Sequence, residues 1–207
     1  MLDTRVLARD KQLDYANYIS PTTGAFDGAT FTQDISDTNR TMLGSEQLQW
    51  LQTQLGNSTG TWQLLGQQVL MGSMYLPAAV ALSLMTLEQY TELGALAVLA
   101  GRMQANDPTL TDGEKAYFAA NQDKLTDEVM AQLQLPAVPY NLDAWDGYAA
   151  ERETILQTAK AYGKNLVVLA GDTHNAWASD LKDLNGDNVG VEFATSSVSS
   201  PGLEYYL

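Results

Sequence analysis

Two residues with metal-ligand or proton-transfer chemistry stand two positions apart in the run from Asn165 to Trp177, NLVVLAGDTHNAW. Asp172 offers a hard oxygen and His174 an imidazole nitrogen, a combination that suits a divalent or trivalent cation. His174 is also the only histidine of the 207 residues, so any imidazole chemistry of this chain happens there. The segment before them, Leu166-Val167-Val168-Leu169-Ala170, has the length and β-branched content of a buried strand. Gly171 then predicts a tight exit loop, and in α/β folds ligands gather at the carboxyl ends of strands, where a rigid sheet holds the loops. A plain reading stays open beside this one, an Asp-Thr turn with a polar histidine closing a strand.

Other residues invite chemistry with less force. Asp143, Trp145, Asp146 and Tyr148 put two carboxylates and two aromatics into one short stretch, which reads equally as a surface turn whose rings seal a helix. Arg152 follows Tyr148 by one helical turn and is placed to reach a phosphate or to pair with Asp146. Asp3 and Arg5 alternate as on a strand and make either a functional pair or a simple ion pair. Asp183-Leu184-Asn185-Gly186-Asp187 departs from the calcium-loop pattern, with Asn188 at the sixth position and Ala194 at the twelfth. Thr195 to Ser200 is rich in hydroxyls but has no G-x-S-x-G elbow, so a serine nucleophile is disfavoured; such hydroxyls would instead hydrogen-bond the ligands of a metal.

The elements that must carry these residues alternate between strand and helix, which makes the chain α/β. Residues 10–40, rich in Asp, Thr, Asn and Gly, read as a long irregular loop. Ser45 is the expected N-cap of a helix with Leu48, Leu51 and Leu55 on one face and Gly56 at its end. Trp62 to Met71 is expected to be a strand interrupted at Gly66. Residues from about 77 to 135 are rich in Ala, Leu, Met and Gln and predict a helical insertion, in which Thr111 and Glu114 form a capping box. Tyr140 to Tyr148 reads as a loop, and Ala149 to Tyr162 as a helix with Ile155, Leu156 and Ala159 inward and Gly163 closing it. Two strands, 176–184 and 189–194, should be joined by a two-residue hairpin at Asn185-Gly186.

Composition bounds the partners. Lys and Arg number 11 against 25 Asp and Glu, a net charge of −14, so nonspecific contact with nucleic-acid phosphates is excluded as a design. With 45% apolar and 17% charged residues the chain is globular. Cysteine is absent, which removes disulfides, thiolate metal sites and thiol nucleophiles. The uncharged run 69–87 contains Gly72, Pro77 and several hydroxyls, and is expected to be a buried helix, not a membrane span. No signal peptide opens the sequence.

Six blocks, LDTR at 2–5, RTMLGSEQLQWL at 40–51, WQLLGQQV at 62–69, LDAWDGYAAERE at 142–153, GDTHNAW at 171–177 and VEFATSSVSSPGLE at 191–204, together resemble the C-terminal part of the alkaline phosphatase D (PhoD-like) metallophosphoesterases. The resemblance implies a calcineurin-like sandwich of mixed sheets flanked by helices. It also implies hydrolysis of small phosphomonoesters and phosphodiesters at a cluster of calcium and iron. Asp172 and His174 would then be metal ligands at the catalytic centre, and Asp146 a further ligand or a neighbour that orients one. Arg5 and Arg152 would contact the phosphate. Family members are exported. Their first metal ligands come from N-terminal loops, a Gly-Asp block and an Asn-bearing block, and residues 1–40 carry neither. The chain is therefore expected to be a fragment with half of the metal site, inactive or weak alone, with sheet edges and apolar surface exposed and a tendency to form homo-oligomers. The alternative is a non-catalytic binding or oligomer-forming α/β module that keeps the loop as a relic.

Overall fold

The computed structural model describes residues 1–202; the tail from Leu203 on, including the last two residues of the sixth block, lies outside the described residues. The chain forms two compact units, one from residues 1–74 with 141 onward, the other from 75–140. In chain order the first unit opens with α1 (Gly28–Ile35), α2 (Gly44–Asn57) and β1 (Gln63–Gly66). The second holds β2 (Tyr75–Pro77), α3 (Ala78–Ala81), α4 (Leu87–Gln104), α5 (Asp112–Asn121), α6 (Asp127–Leu133) and β3 (Ala137–Pro139). The first unit then resumes with α7 (Ala149–Ala161), β4 (Leu166–Ala170), β5 (Trp177–Lys182) and β6 (Asn188–Ala194).

The site-bearing unit is built on a mixed sheet in the order β1-β4-β6-β5. β1, β4 and β6 run parallel, and β5 returns antiparallel beside β6. Alternation decides which side is covered. Leu65, Leu166, Val168, Leu181 and Val189 point to one face and pack with Leu51 and Leu55 of α2 and with Ile155, Leu156 and Ala159 of α7. The opposite residues, Leu64, Leu169 and Phe193, are 67%, 43% and 52% exposed. One face of the sheet is thus an open apolar surface, larger in kind than the scattered apolar residues that any surface carries. β4 was expected to be fully buried, and only its α-helical side is.

Tertiary groups redirect several local expectations. The regular strand expected over 62–71 runs only to Gly66; Gln67 N–H still donates to Leu169 O at 3.0 Å, and farther on Glu192, fully buried on β6, accepts from the Met71 and Gly72 N–H groups at 2.7 Å each. Residues 69–87 accordingly form a buried loop, β2 and the short α3 instead of one helix, and among the described residues no helix is long and apolar enough to cross a membrane. Helix α2 starts at Gly44 with no side-chain cap of its own. The two amides just before it go to Glu151 of α7, whose carboxylate accepts from Met42 N–H at 2.5 Å and Leu43 N–H at 3.1 Å, while the first helical amide, Gly44 N–H, donates to Thr41 Oγ1 at 2.6 Å.

Residues 10–40 are more ordered than a loop. Asp27 caps α1 by accepting from Thr30 N–H, and Tyr15, Tyr18, Phe26 and Phe31 form a cluster of tilted and edge-on rings. The β5–β6 connection spans 183–187, not two residues. Asp183 organises it by accepting from the Asn185 and Asp187 amides at 2.9 Å each and from Lys160 at 2.5 Å, while Gly186 takes a φ of 82°. Helix α7 and its closing Gly163, at φ 61°, stand where the sequence places them. In the second unit Thr111 and Glu114 form the expected capping box, and Thr86 with Gln89 forms another.

Candidate active site at the strand ends

The parallel strands β1, β4 and β6 all end at the same edge, so Gln67, Gly171 and Thr195 follow one another across it. A cavity of about 530 Å³ opens there, lined by Gln67, Gln68, Leu169, Gly171, Asp172 and Thr195 among others. The loop after β4 is sharply folded. Asp172 and His174 both sit in the left-handed region, at φ 70° and 63°, a conformation Asp and His tolerate better than most residues yet one that still costs roughly 1 kcal/mol or more each. Thr173 N–H donates to Gly171 O at 2.8 Å, and Ser197 N–H donates to His174 O at 3.0 Å, which ties the hydroxyl-rich segment to the loop.

His174 is oriented by the backbone. Its Nδ1 lies 2.9 Å from Pro201 O, a carbonyl that only accepts, so Nδ1 carries a proton and, in the neutral ring, Nε2 is the nitrogen with the lone pair. That tautomer is the one a ligating or proton-accepting imidazole needs. Asp172 is held by Arg5, whose guanidinium lies 2.6 Å from Asp172 Oδ2 and also grips Asp143 Oδ2. Arg9 reaches Asp143 Oδ1 at 2.5 Å. Partial burial works against the Arg5 charge, but its hydrogen bonds to Asp143 and Asp172 outweigh this and leave its pKa above the usual value. The backbone around Arg5 is fixed as well: Asp3 accepts from the Arg5 and Val6 amides, and Thr4 donates to Gln68.

Asp146 and Arg152 lie in a different network. Asp146 accepts from Met74 N–H at 2.8 Å, and burial above all raises its pKa, against the Met74 amide, the Ser73 hydroxyl and the Arg152 charge. Arg152 donates to Met71 O at 2.8 Å and to Lys182 O at 3.2 Å. With Glu192, whose pKa burial also raises, they fix the 71–74 loop. The structure therefore joins Arg5 to Asp172 and places Asp146 and Arg152 elsewhere. Arg9 and Glu192 escaped sequence reasoning as site or network residues, and Asp143 was singled out only with its neighbours, not as the partner of Arg5 and Arg9. Only Glu192 carries a local signal, a lone charge within the apolar strand VGVEFA.

The donors suit a metal in kind but not in number. Asp172 and the Nε2 of His174 are one oxygen and one nitrogen, and among the described residues no three His, Cys, Asp or Glu side chains converge as a metal would require. The donor set does not by itself make a metal centre. Among the described residues three buried donors are without partners, Gln67 Nε2, Thr173 Oγ1 and Trp177 Nε1, and two of them belong to the strand-end segments just described.

Fold and site thus define an α/β protein with an acid–imidazole loop at the carboxyl edge of a mixed sheet. The PhoD-like phosphatase family model matches residues 1–207, and the chain belongs to that family. It is 28% identical over 169 residues to alkaline phosphatase D of Bacillus subtilis (strain 168), a match covering 79% of this chain and 19% of that protein. A solved structure, "Structure of PhoD", is 27% identical and covers 81% of this chain and 22% of its own, with a TM-score of 0.49. The chain spans about a fifth of the length of these relatives.

Proposed function

We propose that this chain is part of a hydrolase of small phosphomonoesters and phosphodiesters whose reacting end is the Asp172–His174 loop. Membership of a phosphatase family supports the reaction class. The single observation that carries the location is the fixed tautomer of the only histidine, with Nδ1 committed to Pro201 O, on the same folded loop as an acid held by Arg5. His174 Nε2 and Asp172 would act on the metal-bound centre, and Arg5 on a phosphate oxygen, for which a guanidinium fork is well shaped. Arg152, committed to two carbonyls, and Asp146, committed to Met74, would act by holding the 71–74 loop. The calcium and iron that the family resemblance implies would take Asp172 and His174 as two ligands, and the rest of the coordination shell would come from outside the described residues. The calcineurin-like sandwich would cover the open sheet face, and export belongs to the same proposal.

A second reading, an oligomer-forming module with a relic loop, is favoured by one observation, the open apolar face of Leu64, Leu169 and Phe193. Hydrolysis of a chromogenic phosphodiester by the chain, supplied in turn with calcium, ferric iron, manganese and zinc, separates the two. Turnover that His174→Ala and Asp172→Asn abolish supports the hydrolase. A folded, oligomeric sample whose turnover neither variant changes overturns it in favour of the module.

A further inference from the structure

Another cavity, of about 370 Å³, lies at the opposite end of the strands from the Asp172 loop, where Gln63 and Leu166 begin β1 and β4. Gln63 lines this cavity and Gln67 lines the other, so roughly 13 Å of strand lies between the two residues. Helix α2 contributes Trp50, Gln54 and Asn57, spaced i, i+4 and i+7 and therefore on one face. The segment leading into β1 contributes Ser58 and Trp62. Trp50 and Trp62 are 49% and 61% exposed, so both indoles are open to a ligand. No charged side chain is among the described residues that line the cavity, although the chain carries a net charge of −14.

Gln63 supplies the observation that points to a ligand. Its side chain is buried, and its Nε2 donates to Gly60 O at 2.7 Å and to Ser58 Oγ at 3.1 Å. A carbonyl only accepts, so the amide cannot be turned round and Oε1 is committed to the other side. That buried oxygen accepts from nothing among the described residues, an unmet group that a bound donor would satisfy. We infer that this cavity binds a neutral sugar ring. The apolar C–H face of such a ring stacks on indole, and its hydroxyls both donate and accept, as amide side chains do. One hydroxyl donates to Gln63 Oε1 on the strand side, and others meet Gln54 and Asn57 on α2. A nucleobase would stack as well, but its polar groups lie along the edges of one plane, whereas a sugar carries hydroxyls all round the ring and can meet groups on both elements.

Saturation-transfer difference NMR of the full chain with methyl glucoside, methyl galactoside and N-acetylglucosamine at millimolar concentration, and with uridine as the nucleobase comparator, tests this. At least one sugar should bind, with its ring C–H protons taking up most of the saturation. Trp50→Ala and Trp62→Ala, both at exposed positions and therefore expected to fold, should each weaken that binding about threefold to tenfold. Gln63→Leu, which removes the acceptor, should weaken it at least as much; should that variant fail to fold, the two tryptophan variants decide alone. No hydrolysis is read, so the outcome is independent of the Asp172–His174 reading. Binding of uridine without any sugar overturns the sugar assignment. A folded sample that binds no sugar, or binding that every folded variant leaves unchanged, overturns the site.

Discussion

The start of helix α2 offers the clearest energetic test of the packing described above. Met42 and Leu43 are 0% and 1% exposed, and their amides have no local cap. Both are satisfied by Glu151 Oε2, while Oε1 accepts from the Thr41 hydroxyl at 2.7 Å. Glu151→Ala strands two buried amides, each at about 1–3 kcal/mol. It also removes a negative charge from the helix N-terminus, worth about 0.3–1 kcal/mol. Thr41 is only partly buried and can turn its hydroxyl to water, so it adds little. The alanine variant should lose about 3–5 kcal/mol, a large share of the stability of a typical domain. Glu151→Gln keeps an oxygen for the two amides and can donate to Thr41, so its cost should be about 1 kcal/mol, the difference between a charged and a neutral acceptor. Urea unfolding of the three proteins, with equal m values as the condition for comparison, measures both numbers. Alanine and glutamine variants of equal stability, or an alanine cost below about 1 kcal/mol, would refute the tertiary cap.

Three further outcomes follow from single contacts. A Cβ on Gly147 would stand 2.0 Å from Leu142 O, so Gly147→Ala should cost about 3 kcal/mol or more and collapse the yield of folded protein; a variant melting within a few degrees of wild type would contradict the packing of the 142–147 turn. Lys160 first, then the Asp187 amide and Gln157, against the effect of burial, hold the Asp183 pKa down to about 2 from its usual 3.8. A carboxylate with a depressed folded pKa contributes stability above the usual value and loses it as pH falls, so the contribution should disappear between about pH 4 and 2. Asp183→Asn should flatten that acid limb of the stability profile. Burial raises the Glu192 pKa above its usual 4.5 despite the Gly72 and Met71 amides, and the sign is then reversed: protonation favours the fold. Relative to Glu192→Gln, the wild type should gain stability as pH falls from 7 through its raised folded pKa toward the usual 4.5, and paired urea titrations across that range that show no such gain would contradict it.

The parts legible in the sequence are those decided within a few residues. Strand β4, helix α7 with Gly163, the Thr111–Glu114 box and the Asp172–His174 loop all follow from periodicity, caps and turn residues close in the chain. The parts that were not legible depend on partners far away. Glu151 holds the amides leading into α2 from more than a hundred positions downstream, and Thr41 takes the first helical amide, so the expected cap at Ser45 is not the one used. Glu192 takes the Met71 and Gly72 amides from far along the chain, in a segment where local composition would extend a strand. Asp183 widens a turn that Asn185-Gly186 alone would make tight. At the site the same rule holds. Asp172 and His174 are visible together because they are neighbours in sequence, whereas the pairing of Arg5 with Asp172 and Asp143 joins three separate stretches that no local pattern connects.

With a single histidine, one spectrum reports on the reacting end. A long-range proton–nitrogen correlation spectrum of the imidazole at pH 8, recorded before and after addition of zinc as a diamagnetic probe, reads the tautomer and the free nitrogen together. A proton on Nδ1, and a zinc-induced shift of Nε2 that Asp172→Asn removes, is the result expected of a loop in which Pro201 fixes the ring and Asp172 works beside it. A proton on Nε2, or an imidazole indifferent to zinc in wild type and in Arg5→Met alike, would contradict the assignment of this loop as the reacting end.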